Sequence, residues 1–358
     1  VGKKIYEIGY RDGGGRQRYE TIGLKLGEAR VARDDALARR GKGERPKANP
    51  CLKFGKAADQ YLAERVINLR PQTRSGLRNS IEKHLRPRFG NHRMDRIEAD
   101  DWARLIGELR AEGLAESTIE TILKAGRGVY KFAARRMSWH GEQSLSLLEP
   151  SERPKIAEAK KKRLFTQDEL AQTLAAAHEP YKTLFTLALN AGPRISECLG
   201  VAIEEVDLND LTEATIDFLY QVDRKGVRQR LKTEASEREV EVPFTLACML
   251  AAVIEESPYK KPSDFVFCTS SGKALNQRNV ARALRSIQKR AKDPDGNPTF
   301  PILHERDGEG KPVKVPRGAL PSFHSFRHNC ASEAIADGDA AEEVAWQLGV
   351  VPNQVVPK

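Results

Sequence analysis

Apolar and polar positions alternate over Lys4 to Tyr10 (KIYEIGY) and again over Gln17 to Gly23 (QRYETIG), on either side of the glycine-rich Asp12 to Gly15. Two alternating runs around such a turn predict a β-hairpin. Gly27 to Arg40 has helix-forming composition, so the first 50 residues read as a β-β-α module too short to hold much of a core by itself. Four runs then repeat apolar residues at helical spacing with Arg and Lys on the other face: Phe54 to Val66, Thr73 to Leu85, Asp100 to Glu112 and Ser117 to Arg136. Arg86-Pro87-Arg88-Phe89-Gly90 reads as a helix stop. Beyond it, Thr166-Gln167-Asp168-Glu169 is a capping box that opens a helix, and Tyr181 to Leu189 is a buried apolar helix. Three short strands are expected over Ala214 to Val222, Gly226 to Leu231 and Arg238 to Val242, and a last helix over Asn329 to Ala336.

Two stretches poor in apolar residues, Gly41 to Pro50 and Pro150 to Arg163, read as linkers. They divide the chain into 1–50, 51–150, a linker over 151–163, and 164–358. The fold class expected is mainly α and multidomain: a small β-hairpin module with a helix, a helical domain, and an α-rich domain with a small antiparallel sheet. Among 358 residues, 60 Lys and Arg stand against 50 Asp and Glu, a net charge of +10. The charge is uneven, with +6 in residues 1–50, +9 in 51–163 and −5 in 164–358. A basic excess confined to the first two segments fits a grip on a polyanion, with a more selective site in the third. Arg16 and Arg18 in the hairpin, and Arg74, Arg78, Lys124 and Arg127 in the helical runs, are the candidate DNA contacts.

Five cysteines stand singly, without a CxxC pair, which argues against a disulfide framework and a zinc knuckle. The opening residues lack an apolar leader core, and no apolar run reaches membrane-spanning length. The expected location is the cytoplasm, with no membrane partner.

Chemistry concentrates in the last segment. Arg194 stands between a Gly192-Pro193 turn and a new helix, where a guanidinium can offer two parallel donors to a phosphate. Lys232-Thr233-Glu234-Ala235-Ser236 reads as a turn, which can project one lysine into a cleft. In Phe323-His324-Ser325-Phe326-Arg327-His328, the residues His324, Arg327 and His328 fall within one helical turn. The two histidines lack the intervening glutamate of an HExxH site and have a cation beside them, so no metal and no cofactor are expected.

Arg194, then Lys232 within K-T-x-x-S-x-R, then His324-x-x-Arg327-His328, in that order and at those separations, resemble the tyrosine recombinase (phage integrase) family. The likeness extends along essentially the whole chain, since an arm-binding hairpin module, a helical SAM-like core-binding domain and an α-rich catalytic domain are that family's integrase layout. It implies that Arg194 and Arg327 hold the non-bridging oxygens of the scissile phosphate, that Lys232 protonates the leaving 5′ oxygen, and that His324 assists proton transfer. Glu197 and His328 match supporting positions. The implied partner is double-stranded DNA at core and arm sites. The resemblance also implies a homo-tetramer on DNA when full length, and an accessory directionality factor.

Two features depart from the family pattern. After Trp346-Gln347-Leu348-Gly349 the family usually has a histidine, and here Val350 stands there. The nucleophilic tyrosine should follow a short way beyond, yet no tyrosine occurs after Tyr259 and the sequence ends at Lys358. The expectation is that the chain stops short of its nucleophile and cannot cleave as it stands. The competing readings are a non-catalytic DNA-binding relative of the recombinases and a type IB topoisomerase.

Overall fold

The computed structural model describes residues 6–11, 17–23, 25–41, 52–139, 141–156, 163–231, 236–316 and 318–350. The chain divides into two compact units, Val1–Glu158 and Ala159–Lys358.

In the first unit, β1 (Tyr6–Arg11) and β2 (Gln17–Gly23) pair antiparallel, Ile8 facing Glu20 and Tyr10 facing Arg18. The two-residue period turns Ile8 and Tyr10 to one face, where they bury with Ala29 and Ala36 of α1 (Leu26–Gly41). The helical part begins with α2 (Phe54–Gln60), which continues through a wide π turn over Tyr61–Arg65 and a 3-10 turn over Val66–Asn68. Next, α3 (Pro71–Asn79) starts with a proline in its first turn, where no backbone donor is lost. It runs on through a second π turn, Ser80–Leu85, into α4 (Arg86–Phe89). The helix stop expected at Arg86 to Gly90 falls within that segment: the chain stays helical to Phe89 and leaves the helix at Gly90. Pro87 removes a donor and crowds the carbonyl four residues back, and the wider π turn just before it takes up that misfit.

Helices α5 (Ala99–Ala111) and α6 (Glu116–Arg136) complete the bundle. Its core gathers Phe54, Phe89, Trp102 and Tyr130, with Phe89 and Trp102 ring centres 4.5 Å apart and the buried indole donating to Ser144 Oγ at 3.2 Å. The chain after α6 returns to this bundle, since the Lys155 backbone amide donates to the Glu116 carboxylate at 3.1 Å.

The second unit opens with α7 (Gln167–Ala175), whose capping box is formed: Glu169 N donates to Thr166 Oγ1 at 3.2 Å and Thr166 N to the Glu169 carboxylate at 3.1 Å. The apolar α8 (Tyr181–Asn190) is the central helix, followed by the four-residue α9 (Ile195–Cys198). Strands β3 (Val206–Asp207) and β4 (Thr215–Phe218) pair antiparallel, whereas β5 (Tyr220–Val222) pairs with β6 (Arg228–Arg230) in a separate hairpin. The single strand expected over Ala214 to Val222 is thus two strands in two sheets. Inward Ile216, Phe218 and Val222 keep the same alternation across the break at Leu219, so the sequence pattern hides the change of partner. Strand β7 (Arg238–Glu241) returns to β4, with Arg238 opposite Phe218.

Helices α10 (Phe244–Glu256) and α11 (Gln277–Arg290) cover the core, and α12 (Phe323–Ala336) packs along α8. Helix α12 includes the whole His324-x-x-Arg327-His328 motif. Buried Asn329 locks it to the start of the unit, accepting from Phe165 N at 3.1 Å and donating to Phe165 O at 2.9 Å. The short α13 (Ala341–Leu348) packs on α12 and β7.

Candidate active site

The site is assembled from four segments far apart in sequence: the α8–α9 loop, the start of β7, α12 and the end of α13. Gly192 turns the loop in the left-handed region at φ +61°, and a Cβ there would stand 2.3 Å from Leu348 Cδ2. Only glycine allows both the turn and the close approach. The turn delivers Arg194 to the first position before α9, in extended conformation, with its side chain 39% exposed.

Glu197, one turn on, is buried and gathers three donors. Arg194 N reaches its Oε2 at 3.0 Å, Arg194 Nη1 its Oε1 at 2.7 Å, and Arg238 Nη2 its Oε2 at 3.1 Å. Arg327, also buried, donates from Nη1 to Gly192 O at 2.5 Å and from Nη2 to Leu348 O at 2.7 Å. Arg238 donates from Nε to Gln347 O at 2.6 Å and from Nη1 to Ser236 O at 3.1 Å, its guanidinium lying 4.6 Å from the Phe218 ring centre. The end of α13 is therefore held at two successive carbonyls. Gly349 at φ +62° closes that end, with Gly349 N donating to Trp346 O and Val350 N to Ala345 O at 3.0 Å.

The electrostatics follow from burial and crowding. Burial lowers Arg327 to about 10, Arg194 pushes the same way, and Glu197 opposes them. Burial also lowers Arg238, against the pull of Glu197. For Glu197, burial raises the carboxyl, but Arg238 and Arg194 outweigh it and leave the carboxyl below its ordinary value. Three guanidiniums against one carboxylate leave an excess of positive charge around a partly open Arg194. Such a cluster takes an anion, and a planar fork suits a tetrahedral oxyanion with paired oxygens.

The structure thus brings together Arg194, Glu197 and Arg327 as expected from their motifs. His324 is exposed on α12, and its ring meets the half-buried His328 edge to face at 4.8 Å. Val350 packs with Cys330, Val344 and Leu348, so the position where the family pattern has an imidazole joins an apolar cluster here. Lys232 and Arg16 lie outside the described residues, as does the side chain of Arg18. Tyr259 is occupied elsewhere, its hydroxyl donating to Ser270 O at 2.8 Å. Among the described residues no three His, Cys, Asp or Glu side chains gather as a metal site.

Arg238 is the site residue that sequence reasoning missed. It was visible as the last letter of K-T-x-x-S-x-R, and its place in line with inward Val240 on β7 marks a charge facing the core.

On the helical unit, Arg78 and Lys124 are exposed, while Arg127 pairs with Glu120 at 2.7 Å. Arg74 is turned onto the backbone, donating to Ile67 O at 2.6 Å and Leu69 O at 3.2 Å. A groove between the π and 3-10 turns that follow α2 and the second half of α6 collects Arg65, Lys131, Arg135 and Arg136, with the single acid Glu64, around Tyr61, Gly128 and Phe132. With Lys124, these α6 cations form a stripe at helical spacing, 124, 131 and 135.

Comparison with known proteins gives two family matches: the phage integrase family over residues 163–349, and the phage integrase N-terminal SAM-like domain over residues 53–109. Among solved structures, the Tn1549 transposon integrase (residues 82–397) in complex with transposon right end DNA has a TM-score of 0.66 at 14% identity, covering 85% of this chain and 93% of that one. A lambda integrase tetramer bound to a Holliday junction has a TM-score of 0.59 at 14% identity, over 98% of this chain and 92% of that one. A lambda integrase dimer bound to a COC′ core site scores 0.59 at 14% identity, over 98% and 93%. At such identities the likeness is one of fold.

Proposed function

The chain belongs to the phage integrase family of tyrosine recombinases, and from that premise we propose that it is a site-specific DNA recombinase that integrates or excises a mobile element by cutting and rejoining strands through a 3′-phosphotyrosyl intermediate. The observation that carries this reading is the convergence of Arg194 and Arg327, 133 positions apart, on the Glu197 neighbourhood. In the proposed reaction a tyrosine oxygen attacks the scissile phosphorus, the 3′-phosphotyrosine bond forms, and the bond to the 5′ oxygen breaks. The tyrosine hydroxyl gives up its proton as it attacks, Lys232 gives the leaving 5′ oxygen a proton, and His324 assists proton transfer. Negative charge on the five-coordinate phosphorus is met by Arg194 and Arg327, held before the reaction begins by Glu197, Gly192 O and Leu348 O. Glu197 and His328 support the set. The energy of the phosphodiester is kept in the covalent link, so rejoining by the free 5′ hydroxyl needs no separate energy source.

The partner in this proposal is duplex DNA, in keeping with the DNA-bound integrases of the same fold. Residues 1–50 would act as the arm-binding module, 51–150 as the core-binding domain, 151–163 as linker and 164–358 as the catalytic domain. The basic groove of α2 and α6 would take phosphates of the core site. Assembly into a tetramer is proposed by likeness to the junction-bound lambda integrase, with an accessory directionality factor as a further partner and the cytoplasm as the place of action. No described helix is long and apolar enough to cross a membrane. Since no tyrosine follows Tyr259, the 358-residue polypeptide is proposed to bind its site and hold the phosphate without forming the covalent link.

Selection from a random duplex library tests the reading, followed by affinity measurement on the selected site with a neutral methylphosphonate at each phosphate in turn. One phosphate per strand should matter to the wild type and be indifferent in Arg327→Ala. A chain that selects no duplex, or a methylphosphonate profile identical in both proteins, overturns it.

A further inference from the structure

We infer that Arg238 is a positioning residue, which aims Arg194 at the phosphate through Glu197 and fastens the end of α13 to the same guanidinium; this rests on the reading that Arg194 and Arg327 take a phosphate. The three bonds of Arg238 go to three places in the chain: Ser236 O, four positions after Lys232, Glu197 Oε2 on α9, and Gln347 O on α13. Its face lies on Phe218, which keeps water from competing for those bonds. A planar fork with five donors can serve three acceptors around its edge, and a lysine ammonium cannot stack and bridge in this way.

The consequence for Arg194 comes through Glu197. That carboxylate is flanked by Arg194 and Cys198 on its own element, Arg238 on β7 and Arg327 on α12. Burial raises the Cys198 thiol, which stays neutral at ordinary pH. With Arg238 in place, one carboxylate oxygen is satisfied from β7, and the other orients Arg194 while leaving it partly open. Without Arg238, a buried carboxylate would depend on Arg194 for most of its neutralisation. It would then compete with phosphate for that guanidinium, or take up a proton. A purely structural arginine would weaken the fold without making anion affinity depend on the protonation of Glu197.

Sulfate is the probe, because it is a tetrahedral dianion whose charge is constant through the pH range used. Its binding to the 358-residue chain is followed by the side-chain Nε–Hε NMR signals of Arg194 and Arg327, assigned through Arg194→Lys and Arg327→Lys. In the wild type both signals should move together, and either lysine variant should lose the response. If sulfate moves neither signal, the phosphate reading falls and this inference with it. Given that response, Arg238→Met should bind sulfate at least about tenfold more weakly at about pH 7.5 and recover toward wild type at about pH 5, as Glu197 takes a proton. The loss in Arg194→Lys should be the same at both pH values. Wild-type affinity in Arg238→Met, or an equal loss at both pH values, overturns the inference. Should Arg238→Met not fold, the double variant Arg238→Met/Glu197→Gln removes both buried charges. It should bind sulfate without pH dependence while the amides of α13 exchange faster than in the wild type. Unchanged α13 exchange there would equally overturn it.

Discussion

Replacing Gly192 by alanine tests how tightly the cluster of Arg194, Glu197 and Arg327 is tied to α13. Two costs can be read from the structure. The left-handed φ of +61° costs an alanine roughly 1–2 kcal/mol. The new Cβ would stand 2.3 Å from Leu348 Cδ2 and 3.2 Å from Cys330 Sγ. Carbon atoms settle at about 3.5–4 Å, so the leucine must retreat by more than an ångström. Leu348 is buried against Cys330 and Val344 and has no open side to retreat to, and such overpacking costs roughly 1–3 kcal/mol. The sum is about 2–5 kcal/mol, falling on the carbonyls that hold Arg327. Hydrogen exchange read over α12 and α13 is the assay, since it reports the second unit separately. Protection there should fall by about 30-fold or more, while α5 and α6 stay unchanged. Leu348→Ala, itself costing about 2–5 kcal/mol, removes the clashing methyl. In that background Gly192→Ala should cost less, the backbone term of about 1–2 kcal/mol and the smaller strain of the 3.2 Å approach to Cys330 Sγ. Equal costs in both backgrounds would falsify the steric account.

In any polypeptide that contains this chain and cleaves DNA, Arg194→Ala and Arg327→Ala should each raise the cleavage barrier by about 3 kcal/mol or more while DNA binding largely persists; retained cleavage on a nicked substrate refutes the assignment. The 358-residue chain itself should give no covalent DNA band on a denaturing gel, and a band abolished by Tyr259→Phe would make that residue the nucleophile. Lys131→Glu with Arg135→Glu should weaken duplex binding alike for all sequences and lower the salt slope by about two; an unchanged slope removes the groove from the interface. The Glu197 carboxyl lies below its ordinary value of 4.5 in the folded state, so its contribution to stability is present above that value and lost as pH falls through the lower folded one. Exchange of α9 and α13 should therefore quicken below about pH 4.5 in the wild type but not in Glu197→Gln.

What the sequence disclosed depended on how local the cause was. The hairpin of residues 6–23, the capping box at Thr166 and the apolar α8 each follow from neighbours within a few positions, and each stands within two residues of its expected bounds. The break at Leu219 could not be read, because β4 and β5 keep one alternation and differ only in which distant strand they meet. Pro87 marked the stop only to within a few residues: a π turn stands just before it, and the chain leaves the helix at Gly90 rather than at the proline. At the site, Arg194 and Arg327 were legible from their motifs. The task of Arg238 was not, since its three acceptors are backbone or carboxyl oxygens supplied by segments as far away as Gln347.

The end of α13 shows why these arginines form one device. A helix leaves its last carbonyls without partners, and here Gln347 O and Leu348 O are taken by Arg238 and Arg327, with Gly349 and Val350 closing the turn behind them. Each buried cation costs several kcal/mol unless it is fully paired, and for both of them part of that pairing is the helix end. Lifting α13 away would therefore do more than remove a small helix from the surface. It would leave Arg238 and Arg327 short of acceptors and free Arg327 from one of the two carbonyls that aim it. Docked α13 and an assembled guanidinium cluster consequently stand or fall together, and a phosphate held by Arg194 and Arg327 should slow exchange at the α13 amides through Arg327 and Leu348 O.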